Sequence, residues 1–112
     1  METVIKNIRQ SGTATIVEAF GEIDMRLSPD FHQALVALCE QRPGHLVIHM
    51  AAVSYIDSSG VGALVDVMRR VRAYQGKLAL VAPAARVRSM LEITKLDQFF
   101  TILPTEQEAL LA

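Results

Sequence analysis

The hexapeptide Asp57-Ser58-Ser59-Gly60-Val61-Gly62 stands between an apolar run that ends at Ile56 and an amphipathic run that begins at Val61. A chain that changes from strand-like to helix-like periodicity over so few residues is committed to a strand, a tight turn and a helix N-terminus there. Such a junction leaves backbone N–H groups unpaired and carries the positive end of the helix dipole. It is a natural seat for a phosphate, either on a ligand or on a serine.

The periodicity elsewhere extends this unit. Thr3 to Ile8 and Thr13 to Phe20 are rich in β-branched residues and are separated by Arg9-Gln10-Ser11-Gly12, which predicts a β-hairpin with a four-residue loop. Ser28-Pro29 supplies an N-cap and a proline at the first helical position. Phe31, Leu35, Leu38 and Cys39 then recur at helical spacing until Pro43-Gly44. His45 to Met50 predicts a buried strand, and Ala51 to Ile56 a connector to the hexapeptide. The second helix is expected from Ser58 to about Tyr74, with Gly76 as its C-terminal cap. Lys77 to Ala82 predicts a strand, and Pro83 opens a helix with Val87, Met90, Leu91 and Thr94 inward. Phe99 to Leu103 is a last short strand before a terminal helix opened by Pro104. The order ββαβαβαβα predicts one α/β domain over residues 1–112, a mixed sheet with an N-terminal antiparallel hairpin, parallel βαβ crossovers and helices packed on the sheet.

A chain of 112 residues buries roughly two-thirds of its unfolded surface in one core. Eleven basic and twelve acidic residues give a net charge of −1, with no basic block, so nucleic acid is not an expected partner. No apolar run reaches bilayer length and no secretory signal opens the chain, so membrane insertion is not expected. The single cysteine, Cys39, excludes an intrachain disulfide, fits a reducing cytoplasm and reads as a buried thiol.

Several chemistries fail on their partners. A receiver phosphoaspartate at Asp57 would need further acids after the first strand and a lysine after the last, where Asn7-Ile8-Arg9 and Ile102-Leu103-Pro104 stand. A nucleophile elbow would need glycine two residues before the serine, where Ile56 precedes Ser58 and Asp57 precedes Ser59. A phosphate loop would need lysine and a hydroxyl after its second glycine. His32, His45 and His49 have no companions at metal-ligand spacing, so neither a metal nor a cofactor is expected, nor an enzyme activity. Asp24, in Gly21-Glu22-Ile23-Asp24, fits an Asx-type turn before the first helix. Asp57 or Ser58 could be no more than an N-cap, worth about 1 kcal/mol. A second serine and two glycines exceed what a cap needs, since each helical glycine costs roughly 1 kcal/mol against alanine.

Across nearly its whole length the sequence resembles the STAS domains of bacterial anti-sigma factor antagonists, the sporulation and general-stress partner-switching proteins. The resemblance is carried by Gly21-Glu22-Ile23-Asp24, by Val53-Ser54-Tyr55-Ile56-Asp57-Ser58-Ser59-Gly60-Val61-Gly62, by Gly76-Lys77-Leu78 and by Val87-Arg88-Ser89-Met90-Leu91. It implies a non-enzymatic switch whose serine, Ser58 with Ser59 as the alternative, is phosphorylated by an anti-sigma factor with serine kinase activity. A PP2C-type phosphatase would reverse the modification. It also implies that Asp24 borders the partner surface and that Asp57 presents the serine.

Phosphorylation adds about −1.5 to −2 charges, which a helix N-terminus tolerates, so its effect is expected at an interface. A loss of ~4 kcal/mol there would weaken binding about a thousandfold. Gly60, Ala63, Val67 and Tyr74 follow one flank of the second helix and form either a docking strip or a packing surface for the neighbouring helix. The rival role is a STAS scaffold or regulatory subunit of a stress-signalling or transporter complex, without a phosphorylation switch.

Overall fold

The computed structural model describes residues 3–112. Along them lie β1 (Ile5–Ser11), β2 (Ala14–Ile23), α1 (Ser28–Cys39), β3 (His45–Ile56), α2 (Ser58–Ala73), β4 (Lys77–Val81), α3 (Ala85–Ile93), β5 (Thr101–Leu103) and α4 (Glu106–Leu111). One sheet holds the strands in the order β1-β2-β3-β4-β5. β1 is antiparallel to β2 and the remaining pairs are parallel, the mixed sheet expected from the sequence.

Each parallel crossover advances the chain by one strand in the same direction. The right-handed rule therefore puts α1, α2 and α3 on one face. There Phe31, Leu35, Leu64, Val67, Val87 and Leu91 close over Val17, Ile23, Ile48 and Met50 in a single core. α4 covers part of the other face, with Ala109 against Ile16, Val47, Ala79 and Val81. Cover on both faces explains why the first half of β3 and all of β4 read as near-continuous apolar runs. Among the described residues no helix is long and apolar enough to cross a membrane.

The structure corrects several boundaries. β1 continues to Ser11, and only Gly12 and Thr13 turn, with Gly12 at φ +60°. Arg9 and Gln10, assigned to a loop by their polarity, pair with Ile16 and Thr15 on an edge strand whose side chains meet solvent. The expected connector Ala51 to Ile56 is the second half of β3. Ala52, Val53, Tyr55 and Ile56 pair with Phe20, Gly21, Glu22 and Ile23 through register shifts that interrupt the strand's alternation. At the end of α2 the left-handed position belongs to Gln75, φ +68°, not to Gly76. The N–H groups of Gln75 and Gly76 donate to Arg72 and Val71 carbonyls, closing a Schellman turn. α3 starts at Ala85, two residues after Pro83, and Thr94 is its exposed C-cap instead of an inward position. β5 starts at Thr101, later than the expected Phe99.

Candidate functional site

The parallel pairing of β2 with β3 brings two acidic turns to the same sheet edge. Ile23 and Ile56 are register partners, and the Asp57 N–H donates to the Ile23 carbonyl at 3.2 Å. Asp24 and Asp57 therefore leave adjacent strand ends together. The Asp24 carbonyl accepts from the N–H groups of Leu27 and Ser28, while its Oδ1 accepts from the Arg26 N–H at 3.0 Å. This is the Asx-type turn read from the sequence.

Asp57 is the N-cap of α2. Its backbone is extended, and its Oδ1 accepts from the N–H groups of Ser59 at 2.9 Å and Gly60 at 3.2 Å. The same oxygen accepts from the Ser59 hydroxyl at 2.5 Å. The Ser59 hydroxyl first, then the Gly60, Ser59 and Met25 backbone groups, hold the Asp57 carboxyl below the usual aspartate range against its partial burial. Asp57 is thus an ionised cap whose first-turn donors are already taken.

The two serines differ. Ser58, at the first helical position, is exposed and its side chain has no hydrogen bond among the described residues. Ser59 is half-buried, donates to Asp57 and accepts from the Ser28 hydroxyl at 2.9 Å. The Ser28-Pro29 pair predicts Ser28 as the cap of α1. Instead Leu27 holds the cap position, without a side-chain cap bond, and Ser28 lies inside the helix facing α2. A serine before proline looks the same in either role. Met25, absent from the sequence-predicted set, stands 75% exposed in the loop beside Asp57.

Asp24, Asp57, Ser58 and Ser59 come together, whereas the expected docking strip does not form a surface. Gly60, Ala63 and Val67 are buried, Val67 at 0% exposure, where α2 meets α1 and the sheet. A Cβ on Gly60 would lie 2.6 Å from Ile56 Cγ1 and 2.9 Å from Ile23 Cγ2, so the glycine lets the start of α2 sit on the strand ends. Tyr74 is half-buried and donates to the Pro43 carbonyl at 2.8 Å. Of the two readings of this flank, packing is the one found.

The remaining candidates are structural. His32 Nε2 lies 2.6 Å from Asp66 Oδ2, which also accepts from Arg70 Nε at 2.7 Å, tying α1 to α2. His49 lies 2.9 Å from Glu106, the α4 residue that also pairs with Arg9. Burial raises the pKa of Cys39, consistent with an inert thiol. Among the described residues no three His, Cys, Asp or Glu side chains could hold a metal ion.

This architecture has close counterparts. The anti-sigma-B factor antagonist of Bacillus subtilis is 32% identical over 96 residues, covering 86% of this chain and 87% of the relative. The crystal structure of an anti-sigma factor antagonist from Mycobacterium paratuberculosis has a TM-score of 0.86 at 30% identity, over 96% of this chain and 92% of the other. The anti-sigma factor antagonist SpoIIAA in its unphosphorylated form shares the fold, with a TM-score of 0.80 at 24% identity over 93% and 91% of the two chains. Its phosphorylated form, from Bacillus, gives 0.73 at 23% identity over 93% and 95%. The sequence model of the STAS domain matches residues 6–109, and the chain belongs to the STAS domain family.

Proposed function

We propose that this chain is an anti-sigma factor antagonist that works by partner switching. Unphosphorylated, it binds an anti-sigma factor and releases that factor's target; phosphate on Ser58 abolishes the complex. Similarity over most of the length to proteins that bear this name supports the role. The observation that carries the choice of phosphoacceptor is the exposed hydroxyl of Ser58, without a hydrogen bond among the described residues, beside the doubly engaged hydroxyl of Ser59.

The partner is an anti-sigma factor with serine kinase activity that uses ATP, and a PP2C-type phosphatase restores the binding form. Both approach the strand-end surface that carries Asp24, Asp57, Ser58 and Ser59, and the cytoplasm is the compartment in which such a switch operates. The cap bonds of α2 do not involve the Ser58 side chain, so phosphate leaves the fold intact. Its charge falls instead on a surface with acidic groups at Asp24 and Asp57. A hydrated dianion there is costly to cover without a cationic match, and the complex is lost.

Affinity capture from the source bacterium, with wild type, Ser58→Ala and Ser58→Glu as baits, tests the reading. An ATP-binding serine kinase identified by mass spectrometry on the first two and lost from the third is the expected result. The same proteins on all three baits would make Ser58 a surface residue of a scaffold.

A further inference from the structure

We propose that Ser28 is a specificity-determining residue of the switch: its hydroxyl locks the Ser59 hydroxyl inward and leaves Ser58 as the one serine of the pair presented to a kinase. The inference rests on reading the chain as a phosphorylated partner switch.

Ser28 lies in the first turn of α1, 5% exposed. A serine near a helix start ordinarily turns its hydroxyl toward a free N–H of its own helix. Here α1 has no side-chain cap, and the Ser28 hydroxyl donates across 31 positions to Ser59 Oγ at 2.9 Å. Ser59 in turn donates to Asp57, completing a relay Ser28–Ser59–Asp57 that joins the first turns of two helices. A hydroxyl has one proton and two lone pairs. At Ser59 the proton and one lone pair are committed, which fixes the oxygen toward α1. To turn outward toward a kinase, the half-buried Ser59 oxygen must leave Ser28 and strand a buried hydroxyl without a partner, an unfavourable exchange.

Ser58 meets no such obstacle. In the transfer, Ser58 Oγ forms a bond to the γ-phosphorus of ATP held by the kinase. The bond from γ-phosphorus to the β–γ bridging oxygen breaks, ADP leaves with that electron pair, and the serine proton passes to a carboxylate base of the kinase. Removing the Ser28 hydroxyl frees a lone pair on Ser59 and releases its rotamer, so Ser59 begins to compete for phosphate.

The test uses the full chain with Ser28→Ala, with Ser28→Cys, which keeps the buried volume, and with Ser59→Ala as a reference. Carbon-detected NMR follows the titration of the Asp57 carboxyl. Both Ser28 variants should move its midpoint upward from wild type, in the direction of Ser59→Ala and by less. An unchanged midpoint in both overturns the relay. Phosphate is then mapped by mass spectrometry on protein from the source bacterium. The share on Ser59 should rise severalfold in both Ser28 variants, and an unchanged share overturns the specificity role. Phosphate on neither serine in any form, wild type included, overturns the phosphorylation reading and this proposal with it. That failure is distinguished from a failure of the relay by the Asp57 titration, which needs no kinase.

Discussion

The Asp57 carboxylate accepts from the backbone and the hydroxyl of Ser59 through one oxygen, at 2.9 Å and 2.5 Å. One acidic side chain thereby caps α2 and turns the second serine of the pair inward, so the two adjacent hydroxyls have different surroundings.

The cap has a measurable stability. Asp57→Ala should cost about 1 kcal/mol, lowering the melting temperature by about 4 °C for a domain of this size. Thermal unfolding followed by circular dichroism checks it; an unchanged midpoint would mean that another group takes over the first-turn N–H groups.

Acid sensitivity follows from three carboxylates whose pKa values are lowered in the folded state. Asp57 is held down chiefly by the Ser59 hydroxyl, Asp66 by Arg70 and then His32, and Glu106 by Arg9 and then His49. A lowered folded pKa means stability that is fully present above the unfolded value of about 4 and is lost as pH falls through the folded value. Urea midpoints should be level from about pH 7 to 5 and fall below about pH 4. Asp66→Asn should flatten that fall. Tyr74 has the opposite sign. Burial pushes its pKa up to about 12, so its contribution is lost as pH rises from the unfolded value of about 10 through the folded one.

Val67→Asp should strongly destabilise the fold. The site is fully buried between α1, α2 and the sheet, and among the described residues no buried side chain carries a positive charge. An unpaired buried carboxylate costs about 3 kcal/mol or more, against a total stability of about 5–15 kcal/mol. An unfolding midpoint well below that of wild type is the expected outcome. A cooperative transition at the wild-type midpoint would return Val67 to the surface.

The two glycines of the hexapeptide should respond in opposite directions. Gly60→Ala drives a Cβ into Ile56 and Ile23, destabilising by about 1–3 kcal/mol. Gly62→Ala meets nothing within 4 Å on an exposed part of α2 and should stabilise by up to about 1 kcal/mol. Paired urea titrations separate the two effects.

The element order, the mixed sheet and the strand-to-helix junction were legible because β2 is rich in β-branched residues, β4 is a near-continuous apolar run and α2 carries a clear period of 3.6 residues. The second half of β3 was not. Ala51, Ala52 and Ser54 are exposed and the pairing with β2 shifts register there, so no alternation survives to mark a strand. The role of Val67 stayed open for a geometric reason. The small flank of α2 fits a docking strip or a packing surface equally, because a single helix does not reveal that α1 covers its side. Asp24, Asp57, Ser58 and Ser59 could be placed from local turn and cap chemistry. Ser28 could not, since its partner lies on another helix and only the packing of α1 against α2 brings the hydroxyls together.

The central claim is that phosphate on Ser58 switches partner affinity without altering the fold. Its most direct test is isothermal titration of the captured kinase with unmodified chain and with chain phosphorylated stoichiometrically on Ser58. Partner switching predicts an affinity loss of about a thousandfold, a difference of ~4 kcal/mol, with unchanged circular dichroism. Equal affinities for the two forms would contradict it.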